Sequence, residues 1–317
     1  MRTLFASFFV SAACLCAQNT SVSSTTQVDI NGHRVSDGPE VVVTKTADGS
    51  QTSLKTQSIN GRTVPLERIE EKVIRDDASG KVVERTIRRY DPQGNPTPPE
   101  RQTIEEEKRP DGSATTIATT YRGNINGGMQ LAEKAITESS QNGSEEHSET
   151  VIQKPTINGS LDTVEKQSSV KVISSDGFRE ESTTYRPGGN GGFYPALRTV
   201  TEHKQAGAEA EDNTVEYEAD PSTALHVHSQ TVAKTVTSPD GSRDTVLNIY
   251  GNSVPGTVNE PGSSLKLKEQ QLIQSQKGPN DTVTETLSVR RPTVNDPNTL
   301  GPARQLSQTV CTGVCKP

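Results

Sequence analysis

No tryptophan occurs in this chain, and aromatic residues make up only 3% of it. Apolar residues reach 29%, well under the roughly 45–50% of ordinary globular chains. A thick hydrophobic core is therefore excluded. The chain either remains substantially disordered or folds with little burial per residue, as stacked repeats and thin sheets do. Long apolar runs are missing as well. Beyond residue 17 nothing is apolar enough to cross a membrane as a helix of about 20 residues, so the mature chain is expected to have no membrane-spanning segment. Clustered basic residues are equally scarce. The formal charge is -7, becoming -8 if Arg2 is removed, and Lys and Arg alternate with acids. Phosphate binding needs clustered positive charge, so nucleic acid is excluded as a partner.

Catalytic constellations are absent too. No Gly-x-Ser-x-Gly elbow, phosphate loop or dinucleotide fingerprint is present. Runs such as Glu105-Glu106-Glu107 alternate between faces on a strand. His226 and His228 share a face on a strand, but a metal site needs more ligands than this pair supplies. No cofactor, metal or enzymatic activity is expected.

What is present begins with an export signal. Arg2 precedes an apolar run from Leu4 to Ala13 and a small-residue exit ending at Ala17; such a segment is a secretory signal peptide over residues 1–17. Cleavage after Ala17 is expected, with lipidation at Cys14 as the alternative.

The second positive feature is a repeat of about 33 residues, the signature of arrays. Turn glycines recur at Gly49, Gly80, Gly112, Gly143, Gly177, Gly207, Gly241 and Gly278. Asp-Gly and Asn-Gly pairs favour tight hairpin turns because they tolerate positive φ. A second series about half a period away includes Asn31-Gly32, Asn60-Gly61, Asn126-Gly127, Asn158-Gly159 and Asn190-Gly191 and is read as longer loops. Val- and Thr-rich segments between the turns favour strands. Tyr90, Tyr121, Tyr185, Tyr217 and Tyr250 each close a strand before the second series. Leu66 to Ile74 has helical spacing, but its place in the repeat assigns it to a strand. Tyr90-Asp91-Pro92-Gln93-Gly94 is similar to the tyrosine–aspartate repeats of large bacterial surface proteins; the likeness is confined to this stretch.

The expected fold is all-β: an antiparallel meander of about eight two-strand repeats, forming an extended twisted or superhelical sheet over residues 18–310. A 16-stranded outer-membrane barrel suits the export and even strand number. It is rejected for want of an apolar outer band and aromatic girdles. Residues 311–317 form a tail in which Cys311 and Cys315 are expected to make a local disulfide, as nearby cysteines do in exported proteins. The expected role is structural: a secreted, periplasmic or cell-surface protein with a spacer or adhesion function. The alternative is a module that binds a cell-envelope or extracellular protein or glycan through its inter-strand loops. A hydrolase acting on surface polymers is a weaker third reading.

Overall fold

A computed structural model describes residues 19–28, 33–59, 61–124, 126–251, 265–280, 282–293, 295–296 and 299–313. The expected signal peptide lies outside them. Eighteen strands follow one another: β1 Asn19–Val28, β2 Arg34–Lys45, β3 Gln51–Ile59, β4 Arg62–Asp77, β5 Gly80–Arg89, β6 Glu100–Lys108, β7 Ala114–Gly123, β8 Met129–Asn142 and β9 Glu145–Pro155. After them come β10 Leu161–Ser174, β11 Gly177–Pro187, β12 Phe193–Ala206, β13 Glu209–Ala219, β14 Leu225–Thr237, β15 Arg243–Gly251, β16 Lys266–Lys277, β17 Val283–Arg290 and β18 Arg304–Gly313. Each strand pairs antiparallel with the next, and β1 also pairs with β18.

The meander and the β assignment of Leu66 to Ile74, inside β4, stand. The open sheet does not: the strands close into an 18-stranded barrel. The eight first-series turns account for β2 to β17. The two outer strands, β1 and β18, have no such turn and close the ring by pairing with each other from Ser21↔Gly313 to Gln27↔Ser307. Closure leaves no local mark in a sequence, because it depends on accumulated twist and shear. The same finding removes the ground for the expectation that no segment spans a membrane. That expectation looked for apolar helical runs, whereas barrels cross with tilted strands of about 9–11 residues. The strands here run from 8 to 16 residues.

The loops correct the sequence reading in part. Gly80, Gly143, Gly177 and Gly207 lie at two-residue connections between strands, as tight hairpin turns do, whereas the rest of the first series and most of the second share one five-residue clamp, in which the first N–H donates to the fifth carbonyl. It closes 46–50, 109–113 and 238–242 at one rim. At the other rim it closes 91–95, 124–128, 156–160, 188–192 and 220–224. The fourth residue takes positive φ: Gly49, Gly94, Gly112, Gly127, Gly159, Gly191 and Gly241, with Thr223 at φ 69° in the eighth clamp. An Asp or Asn side chain completes many of them. Asp48, Asp111, Asp220 and Asp240 each accept the N–H of the serine two residues on, at 2.8–3.1 Å.

Strand register sorts the side chains into two faces. Linked pairings such as Thr86↔Arg101↔Tyr121, Val151↔Lys166↔Tyr185, Arg198↔Tyr217 and Gln230↔Tyr250 put the repeat tyrosines on one face, the tyrosine face. At Tyr121, Tyr185, Tyr217 and Tyr250 the register shifts by a bulge in the following strand. The opposite, hydroxyl face carries Ser139, Ser148, Ser169, Ser182 and Thr199 as successive register partners. The wall is one sheet thick. Among the described residues the buried apolar side chains are Val64, Val83, Ala196, Val200 and Val289.

Candidate functional site

The hydroxyl face carries a dense polar network. Threonine hydroxyls pair across neighbouring strands at Thr25–Thr309 (3.1 Å), Thr137–Thr150 (2.8 Å), Thr201–Thr214 (3.1 Å) and Thr235–Thr245 (2.8 Å). On β4 to β7 one row of register partners is joined end to end. Arg85 Nη2 donates to Glu71 Oε2 at 2.7 Å, Arg85 Nη1 to Gln102 Oε1 at 3.2 Å, and Gln102 Nε2 to Thr120 Oγ1 at 3.2 Å. Further round the wall, Lys171 Nζ stands 4.5 Å from the Phe178 ring centre. Phe178 stacks on His203 at 5.2 Å, and His203 Nδ1 lies 2.7 Å from Asp212 Oδ1.

Beside this group is a cleft of about 340 Å3, lined on the hydroxyl face by Ser139, Glu146, Ser148, Ser169, Lys171 and Glu180. It lies toward the rim that holds the first-series turns. A second cleft, about 500 Å3, sits at the other rim between loops 188–192 and 220–224, with Phe193 and Tyr194 in its wall. Phe193 also carries Lys166 Nζ, 4.8 Å from its ring centre.

Sequence reasoning singled out few of these residues. His226 and His228 do not converge: His226 Nε2 meets Asp220 at 3.0 Å, and His228 Nδ1 meets Glu218 at 3.2 Å. The bulge opposite Glu216 and Tyr217 takes His228 out of the ladder. Cys311 belongs to β18, opposite Ser23 and Val283, and is disulfide-bonded; Cys315 lies outside the described residues. The Glu71–Arg85–Gln102–Thr120 row was missed because its members are 14 to 18 residues apart and meet only through register.

Fold and wall together define a closed 18-stranded antiparallel barrel with one hydroxyl-rich face. No family model and no curated protein matches this sequence. Among solved structures, it is similar to OccK2 (OpdF) of Pseudomonas aeruginosa. The complex with glucuronate matches at TM-score 0.51 and 10% identity, over 94% of this chain and 98% of that one. A second OccK2 structure matches at TM-score 0.53 and 8% identity, with the same coverage. At such identities the likeness is one of fold.

The closed barrel overturns the expected structural, surface or adhesion role, which rested on an extended repeat array. It also overturns the alternative of a binding module built on long inter-strand loops, since many of those loops are five-residue clamps.

Proposed function

We propose that the chain is a non-enzymatic outer-membrane pore, exported by residues 1–17 and passing small polar solutes through the barrel. The observation that carries this is closure of 18 strands around a hydroxyl-rich face. Barrels of 16–18 strands leave an aqueous channel, and such channels have polar interiors. In this reading the hydroxyl face lines the lumen. The tyrosine face then looks outward, with Tyr90, Tyr121, Tyr185, Tyr217 and Tyr250 as a girdle at one bilayer interface. The start of β1 and the end of β18 share a rim with the tight turns, as expected for the periplasmic side of an outer-membrane barrel. The OccK2 likeness supports the same location within the cell envelope.

Charges on the tyrosine face set the cost of this placement. The tyrosine face carries Glu84, Lys134, Glu138, Glu149 and Lys166, and a lipid-facing Lys at midplane costs about 2–4 kcal/mol. Several charges on this face are paired, as in Arg198–Glu181 (2.8 Å), Lys234–Glu211 (3.2 Å) and Arg179–Glu202 (3.5 Å), which lowers that cost. Planar-bilayer recording and liposome flotation test the reading. Stepwise conductance and co-flotation are expected of the pore. A strand-rich, folded protein that neither conducts nor floats would overturn it.

A further inference from the structure

We infer that the cleft on the hydroxyl face between β8 and β11 is a binding subsite for a small polyhydroxylated solute bearing a positive charge, of the amino-sugar class. Its volume, about 340 Å3, falls at the lower end of small-ligand clefts. Its lining supplies what such a solute needs. Ser139, Ser148 and Ser169 come from three adjacent strands and are successive register partners, so three hydroxyls stand in a line at strand spacing. Glu146 and Glu180 flank them, separated by Lys171, their register partner on β10.

Charge decides the class. Two carboxylates face one ammonium, and that ammonium is already engaged. Lys171 Nζ is 3.9 Å from Glu146 Oε2 and 4.5 Å from the centre of the Phe178 ring. It is therefore poorly placed to meet a ligand carboxylate. Glu180 receives one hydrogen bond, from Ser169 Oγ at 2.9 Å to its Oε1. Its second oxygen is left for a ligand cation or hydroxyl, since a carboxylate offers about four acceptor positions. Ser139 Oγ donates to the Ala114 carbonyl at 3.3 Å, which leaves its lone pairs toward the cleft. A hydrogen bond with an ionised partner is roughly twice as strong as a neutral one. Cationic sugars should thus outrank neutral ones, and acidic sugars should be repelled.

That this solute is one the barrel conducts rests on the pore reading; binding itself does not. Isothermal titration of the purified full-length barrel with glucosamine, glucose and glucuronate tests the subsite. Saturable glucosamine binding is expected, at least about tenfold tighter than glucose, with glucuronate weakest. In Glu180→Gln, with an unchanged circular dichroism spectrum, glucosamine should fall to the level of glucose. Ser148→Ala should weaken both sugars together. No saturable glucosamine binding, glucuronate binding as tightly as glucosamine, or an unaltered preference in folded Glu180→Gln would each overturn the subsite. Bilayer conductance is scored separately: conduction without sugar preference removes the subsite alone, and preference without conduction removes the pore alone.

Discussion

Thr25 and Thr309 stand 284 positions apart in the chain, yet their hydroxyls share a hydrogen bond of 3.1 Å. They are register partners on β1 and β18, the pair that closes the ring. Side chains this close should form a disulfide when both residues are replaced by cysteine. In a Cys311→Ser, Cys315→Ser background, oxidised Thr25→Cys, Thr309→Cys protein is expected to run as a cross-linked species on non-reducing gels. A Thr25→Cys, Thr284→Cys control should stay uncrosslinked, because Thr284 lies on β17. Free thiols in the seam pair after oxidation would mean an open sheet.

Thr223 occupies the clamp position that glycine holds in seven equivalent loops, at φ 69°. A β-branched residue is strained there. Thr223→Gly is expected to raise stability by about 1 kcal/mol, read as a higher denaturant midpoint. A loss of stability would contradict the shared clamp.

Gly177 makes the opposite case. A Cβ built on it would fall on the carbonyl oxygen of His203, a backbone atom that cannot swing aside. Gly177→Ala is expected to cost about 1–3 kcal/mol, as overpacking does. Gly189 has open space around it, and Gly189→Ala should change little. Thermal melts of the two variants give the comparison.

Acid should loosen the rims. Hydrogen bonds from Ser222, then His226, lower the Asp220 carboxyl from 3.8 to about 2. Asp48, Asp91, Asp111 and Asp240 are lowered by similar turn contacts: from Thr46, Asn95, Ser113 and Ser242 first, respectively. A carboxyl with a depressed folded pKa stabilises the fold above its unfolded value. That contribution is lost as pH falls through the folded value. Stability should therefore decline from about pH 4 toward pH 2, and Asp220→Asn should flatten part of the decline. A midpoint constant over this range would refute the coupling.

The terminal disulfide remains a proposal in its pairing. Gly313, two residues beyond Cys311 and still in β18, has φ 93°, and a Cβ there would collide with the Thr20 carbonyl oxygen. We propose that Cys311 pairs with Cys315. Peptide mapping without reductant should find the two linked. The enclosed loop is short, so reduction should cost at most about 2 kcal/mol. A linkage to another cysteine would rule the pairing out.

Much of the ladder was legible. Gly49, Gly112 and Gly241 marked real turns, and the five tyrosines marked real strand ends, because turn chemistry and strand propensity are local. Closure was not legible. Nothing in residues 21–27 or 307–313 announces that they will pair. The wall composition also misled: with one sheet and a hydroxyl face, Thr and Ser occupy positions that a packed core would give to Val and Leu. The cleft residues Glu146, Lys171 and Glu180 read as ordinary strand charges until register set them side by side.

A wall one sheet thick changes how the protein should respond to temperature. Heat capacity on unfolding rises with newly exposed apolar surface and falls with polar surface. With so few buried apolar side chains, the increment per residue should sit below the about 12–15 cal/mol/K of globular domains. The stability curve is then shallow and broad. What holds the barrel against heat is the continuous ring of backbone hydrogen bonds, whose loss is paid largely in enthalpy rather than in the ordering of water.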